Sequence, residues 1–417
     1  MKEFDYSDDN IKRTIQADYF KRNNYIQNLI KYINNADEQT TYAINGGWGS
    51  GKTVFMHQFM YAVRNREIFN GVATDETGTK DIEVFYYNAW ERELLKQPSI
   101  GILEYILDEY HLFSQEERRI AIEAVKKVGN TLLKLSTAGG LSIDDFTAAD
   151  KVEVNIKNIR ESFAKVIDNI KKDKKCKKVV IIIDELDRCK PTTVINMLEE
   201  IKHFYEHDSL CFIFSADFKQ LGYTIKKMYG ENFDSDLYLQ RFFDTTFMLN
   251  SSDYEKYISE ELLYDIRDTY IAHEICKVAI AYNTLSIRET NKFIKKIKVI
   301  KDEIFSFNMY NPELVVVKAI FVPWAIALKY KNSEKYQALI YGDLEEQEIR
   351  AFMDTSKDLA KWLKDCCYGW RDDEELCIYT KVYEAYKKYF RKAEFRYWGE
   401  EYQDTSMRRK VLSYIEF

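Results

Sequence analysis

Residues 46–53 read GGWGSGKT, a G-x-x-x-x-G-K-[ST] run between a β-rich segment (TYAIN) and a long helical pattern (VFMHQFMYAV). No other stretch narrows the possible folds so far. Glycines let the backbone turn so tightly that successive N–H groups point inward and cradle anionic oxygens. The helix that begins near Lys52 brings the positive end of its dipole to the same point. The expected phosphate-binding residues are therefore Gly46, Gly47, Trp48, Gly49, Ser50, Gly51, Lys52 and Thr53. Lys52 is placed to neutralise the β- and γ-phosphates of a nucleoside triphosphate, and Thr53 to offer its hydroxyl to Mg²⁺. Trp48 is large for such a loop. It either covers one side of the phosphate site or packs on the sheet edge.

A second constellation lies far downstream. Residues 179–188 read VVIIIDELDR, in which β-branched residues predict a strand buried on both faces. Two carboxylates follow at its carboxyl end, where open α/β sheets place their sites. Asp184 is expected to hold Mg²⁺, through water, and Glu185 to polarise the water that attacks the γ-phosphate. A charged, solvated strand end is the alternative for this cluster taken alone.

Strand-like runs recur at Thr41–Asn45, Ile82–Tyr87, Val179–Ile183, Leu210–Ser215 and Thr245–Leu249. Helical patterns alternate with them at Lys52–Val63, Thr192–His207 and Phe218–Tyr229, with Pro191 well placed to start the second. This alternation predicts an α/β fold with a parallel five-stranded sheet covered by helices on both faces. Residues 92–172 carry helical patterns and no strand, and read as a helical insertion. The expected organisation is a nucleotide-binding core over 1–250, a helical lid over 251–305 and a C-terminal helical region over 306–417, with FNMYNP (307–312) as the boundary.

Composition narrows the partners. The 417-residue chain has a formal net charge of −7, so its surface as a whole does not attract nucleic acid. With only 15 Gly and 4 Pro against 31 Tyr and 25 Phe, it reads as compact and helix-rich rather than disordered. Seven scattered cysteines, an odd number with no leader sequence before them, suggest reduced thiols and a cytoplasmic location. No apolar run is long enough to span a bilayer; Leu314–Leu328, broken by Lys318 and Pro323, reads as a buried helix. The stretch YKKYFRKAEFRY (386–397) interleaves aromatics with cations as single-strand platforms do, but acidic flanks favour a solvated amphipathic helix. His203 and His207 share a helix face without a visible third metal ligand.

The sequence resembles the KAP family of P-loop NTPases. The tryptophan in GGWGSGKT, the strand ending FYYNAWE (85–91), DELDRCKP (184–191), SADFKQL (215–221), YLQRFFD (238–244) and the lead-in ADYFKRNNYIQNLIKYI (17–33) carry the resemblance. It implies a P-loop core of the additional-strand, catalytic-glutamate type, related to AAA-like ATPases. Glu185 stands where the family usually has Asp. Many members carry transmembrane helices between the second strand and the acidic one, where this chain has only the helical insertion. Bacterial members linked to phage exclusion make host defence an implied setting.

Further candidates follow from position. Asp217 ends the fourth strand, where it senses the γ-phosphate, caps the next helix, or does both. Arg241 in YLQRFFD either reaches a γ-phosphate, often that of a neighbouring subunit, or forms a structural ion pair. Arg288 in LSIRETNKFIKK resembles a lid arginine, with a solvated helix face as its alternative. Arg188 is expected in an ion pair or an interface. Together these residues predict a Mg²⁺-dependent ATPase acting as a conformational or oligomerisation switch, as a homo-oligomer, with a separate effector protein, or both. A nucleotide-stabilised scaffold is the alternative, and a nucleic-acid-dependent ATPase ranks below both.

Overall fold

The computed structural model describes residues 4–65, 81–93, 98–109, 160–161, 163–205, 207–249, 255–259, 270–306, 312–366, 375–390 and 405–416. Most of the expected insertion, Cys367, Cys377's side chain and the 391–397 half of the aromatic–basic stretch lie outside them. The chain divides into two compact units, Met1–Asn250 and Ser251–Phe417.

In the first unit the order is α1 (Asp8–Ala17), α2 (Asn23–Asn34), β1 (Thr40–Asn45), α3 (Lys52–Arg64), β2 (Ile82–Asn88), α4 (Pro98–Glu109), β3 (Lys178–Asp184), α5 (Pro191–Phe204), β4 (Leu210–Ala216), α6 (Phe218–Tyr229), α7 (Ser235–Gln240) and β5 (Thr245–Met248). A further helical run covers 163–174 ahead of β3. The strands form one five-stranded sheet in the order β2-β3-β4-β1-β5, every pair parallel. All five runs read as strands in the sequence are strands here, shifted by a residue or so at their ends.

Every residue of β3 and β4 is buried, because helices cover both faces of the sheet at its centre. Alternate side chains serve opposite layers. Val179, Ile181, Ile183, Phe212 and Phe214 pack with Ile102 and Ile106 of α4, Phe163, and Val194 and Leu198 of α5. Val180, Ile182, Cys211 and Ile213 pack with Ile26 and Ile30 of α2 and with Phe55 and Phe59 of α3. The short β5 closes one edge, alternately half-buried and exposed. A parallel sheet ends all its strands at one edge, so the loops after β1, β3 and β4 meet there.

The described residues of the second unit are helical. The helix Ile287–Ile304 starts in a capping box: Ser286 takes the Glu289 N–H while the Glu289 carboxylate takes the Ser286 N–H at 2.7 Å. The expected buried helix is realised as Pro312–Val316, a π-helical turn at Val317–Phe321, and Val322–Lys331. The wide turn runs up to Pro323, which has no N–H to donate and whose ring would crowd the carbonyl four residues back. One apolar core joins residues on both sides of the expected boundary at 305, among them Phe293, Ile297, Phe321, Trp324, Phe352 and Tyr386. No helix among the described residues is long and apolar enough to cross a membrane.

Candidate functional site

The loop 46–51 leaves β1 and enters α3 without a break. Gly49 and Gly51 sit at φ 79° and 84°, the left-handed region that costs a residue with a Cβ about 1–2 kcal/mol. At Gly46 a Cβ would come within 2.7 Å of Ser50 Oγ. A Gly51→Ala chain is therefore expected to lose about 1–2 kcal/mol of stability in urea unfolding. Lys52 is buried, and its ammonium donates to the Gly46 carbonyl at 2.6 Å and reaches that of Gly47 at 3.4 Å. Burial pushes this ammonium's pKa down, while the carboxylates of Asp187, Asp184 and Asp217 oppose the fall. The loop lysine thus lies within reach of charges from the ends of both β3 and β4.

At the end of β3, Asp184 is almost fully buried. Its Oδ2 accepts from the Tyr86 hydroxyl at 2.8 Å and its Oδ1 from the Glu185 N–H at 2.9 Å. Burial, and then the Asp184 charge, raise the Tyr86 phenol's pKa, so it stays a donor. Glu185 turns the chain in the left-handed region, at φ 60°. A non-glycine residue held there marks a site over-determined by its surroundings. Its carboxylate takes Arg188 at 2.8 Å on Oε1 and the Asn88 amide at 3.3 Å on Oε2. Burial pushes the Glu185 carboxyl's pKa up and Arg188 draws it back. Arg188 in turn lies 5.4 Å from the ring centre of Trp90. The expected ion pair of Arg188 is thus made with the candidate base itself.

The loop and the acidic turn are tied together directly. Trp48 Nε1–H donates to Asp187 Oδ2 at 2.6 Å, and the same oxygen takes the Asp217 N–H at 3.1 Å. The Trp48 ring is 56% exposed, so the indole is a tether with an open face rather than a packed wedge. Asp217 caps α6, its Oδ1 accepting from Lys219 N and Gln220 N at 3.1 and 3.3 Å. Its Oδ2 faces Gly47. The capping role is present, and the second oxygen is left towards the loop.

Two arginines complete the set of candidates. Arg241 ends α7, exposed, ahead of β5, and its carbonyl accepts from Lys202. Asp244, just after it, bonds the Thr41 backbone at the start of β1. At about 3.3 Å per residue, that is roughly 13 Å of strand from the phosphate loop, at the opposite edge of the sheet. Arg241 therefore does not approach this chain's own loop. Its guanidinium has no ion pair among the described residues. Arg288 is exposed in the first turn of Ile287–Ile304, in the second unit.

Oxygen donors suited to Mg²⁺ are present in Thr53 and Asp184. Among the described residues no cluster of three or more His, Cys, Asp or Glu could hold a metal alone, so an ion here would complete its shell with phosphate and water. Ser50 Oγ in the loop and Ser215 Oγ, on the strand position paired with Asp184, are buried without partners among the described residues. Unspent polar groups beside the loop and the carboxylate fit a polar ligand with its hydration shell. Tyr86, Asn88, Asp187 and Ser215 were given no role in the sequence. Their roles depend on strand register, although FYYNAWE and DELDR already contain three of them.

A model of the KAP family P-loop domain matches residues 22–304, and the chain belongs to that family. No curated protein matches it. Among solved structures, a chain of the Drosophila ORC bound to GC-rich DNA and Cdc6 aligns with 8% identity and a TM-score of 0.38 over 92% of this chain. The present chain spans about half the length of that one, 51%. At that score the likeness informs neither fold nor partners.

Proposed function

We propose that this KAP family member is a Mg²⁺-dependent nucleoside triphosphatase, with ATP as substrate, whose hydrolysis cycle switches its conformation or assembly. The Trp48–Asp187 bond carries this reading: it joins the phosphate loop to the acidic turn at 2.6 Å, across 139 residues of sequence. In this reading the loop amides, with Gly46, Gly47, Gly49, Ser50 and Gly51, hold the phosphates and Lys52 neutralises them. Thr53 and Asp184 hold the ion. Bound Mg²⁺ supplies charge neutralisation on the phosphate oxygens and so eases attack. Glu185 orients the attacking water, and Asp217 Oδ2 faces the loop to sense the γ-phosphate. Arg288 is a candidate lid contact to the nucleotide. The test is phosphate release by the purified chain with Mg²⁺ and any activator it needs. Lys52→Ala is expected to abolish it, and equal rates for the two chains would sink the proposal.

Because Arg241 stands at the end of the sheet opposite the loop, its catalytic reading requires a second copy whose loop it meets. Glu185→Gln protein, weighed in solution with and without ATP, is expected to assemble with ATP. A constant monomer mass removes Arg241 from the mechanism.

One observation favours a second reading, a nucleotide-ordered scaffold that recruits a separate effector. Both oxygens of Glu185 are engaged, by Arg188 and Asn88, which suits slow turnover. A partner that co-purifies equally with Lys52→Ala supports this reading. Antiphage defence in the cytoplasm is the setting supported by the family resemblance, and the four buried free thiols Cys176, Cys189, Cys211 and Cys276 are compatible with it.

A further inference from the structure

We propose that Arg22 is a positioning residue of the nucleotide site, a cation lodged beneath the phosphate loop that fixes the peptide planes of Ser50 and Gly51. This deepens the triphosphatase reading and rests on it. Arg22 stands where the N-terminal segment turns into α2. Its guanidinium donates to the Ser50 carbonyl at 2.6 Å and the Gly51 carbonyl at 3.2 Å. The residue is 3% exposed, with the guanidinium 4.7 Å from the ring centre of Phe20. The turn is set by Asp18, whose Oδ1 takes the N–H groups of Arg22 and Asn23 at 2.7 and 3.2 Å. Nearby, Gln58 of α3 donates to Thr14 of α1 at 3.0 Å, a second tie between this segment and the loop's helix.

Two consequences follow from elementary chemistry. A trans peptide is planar, with its C=O and N–H on opposite sides. Holding the Ser50 and Gly51 carbonyls therefore aims the N–H groups of Gly51 and Lys52 the other way, where the loop's donors must converge on an anion. Gly51's carbonyl also takes the first helical bond from Phe55, at 3.0 Å, so the clamp acts on the exact start of α3. The second consequence is electrostatic. A cation beside a helix N-terminus opposes the helix dipole, and burying it is costly. Here Arg22 Nε has no partner among the described residues. Burial lowers the guanidinium's pKa only to about 10, so it stays charged at neutral pH. A polyanion in the loop would offset that charge, which makes the arrangement favourable where a triphosphate binds.

The experiment uses the full chain and inorganic tripolyphosphate, which has no base or sugar, titrated by calorimetry with Mg²⁺. Alongside it, hydrogen exchange is followed at the amides of residues 49–53. Arg22→Met keeps the length of the side chain and removes its donors. It is expected to weaken tripolyphosphate binding about tenfold and to speed exchange at the loop, while Arg22→Lys recovers part of both. KM for ATP should rise about tenfold with kcat within about twofold, the pattern of lost ground-state and transition-state binding alike. A folded Arg22→Met chain with native affinity and native loop exchange overturns the proposal. If Arg22→Met does not fold, Arg22→Lys decides: native values of both readouts overturn the proposal, and reduced affinity with faster exchange supports it. Affinity lost in Lys52→Ala but kept in Arg22→Met overturns this inference alone. Equal, negligible binding by the native chain and Lys52→Ala overturns the triphosphatase reading and this inference with it.

Discussion

Glu185→Gln is expected to slow phosphate release by about 10²–10⁴-fold while the chain still binds triphosphate. The amide keeps the size of the side chain and removes the group that accepts the water's proton. Lys52, the loop amides and Asp184 are untouched, so binding persists. The left-handed backbone at this position is also kept, because the substitution changes no backbone preference that matters at φ 60°. Stopped-flow phosphate release and equilibrium binding of a triphosphate separate the two effects. Native turnover in Glu185→Gln would remove Glu185 as the base. Loss of binding together with turnover would show instead that its pairing with Arg188 and Asn88 holds the site's shape.

The largest expected effect on stability lies in the second unit. Trp324 is 2% exposed, stacked on Phe352 with ring centres 4.2 Å apart and edge-on to Tyr282 at 5.8 Å. Trp324→Ala leaves a cavity between these rings and is expected to cost about 3–5 kcal/mol in urea unfolding. Trp324→Phe should cost much less, because the indole N–H has no partner among the described residues to lose. A loss below about 1 kcal/mol for the alanine variant would mean that these rings close over the gap.

The sheet was legible because its strands are short β-rich runs that alternate with helical patterns, and because β3, buried on both faces, is written as VVIII. The loop and Asp184 were legible because their chemistry is local in sequence. Tyr86 was not, since its bond to Asp184 exists only in one register, with Asn88 opposite Asp184 and Tyr86 two residues back on the same face. A shift of one residue would turn the phenol to the other layer. Arg188 lies three residues from Glu185, but they meet only because Glu185 bends the backbone into a 3₁₀ turn. Arg22 was hidden by distance, 28 residues from the carbonyl it holds. The position of Arg241 could have been deduced: a residue that precedes a parallel strand stands at the edge opposite a loop that follows one. The break expected at 305 rested on the turn-like FNMYNP, whereas helix packing follows apolar stripes, and those continue across it.

The place of β2 at the rim of the sheet has an architectural consequence. Among the described strands it has one neighbour, β3, so the connection between them joins adjacent strands. Loop closure grows only logarithmically with length, about 0.6 kcal/mol for each doubling. That connection is thus a port at which chain can be added, outside α4 and the helical run at 163–174, while the strands that carry the loop and the carboxylates keep their neighbours. The fold can acquire a new attachment there and leave its chemistry as it was, and a chimera built at this junction should inherit the site intact.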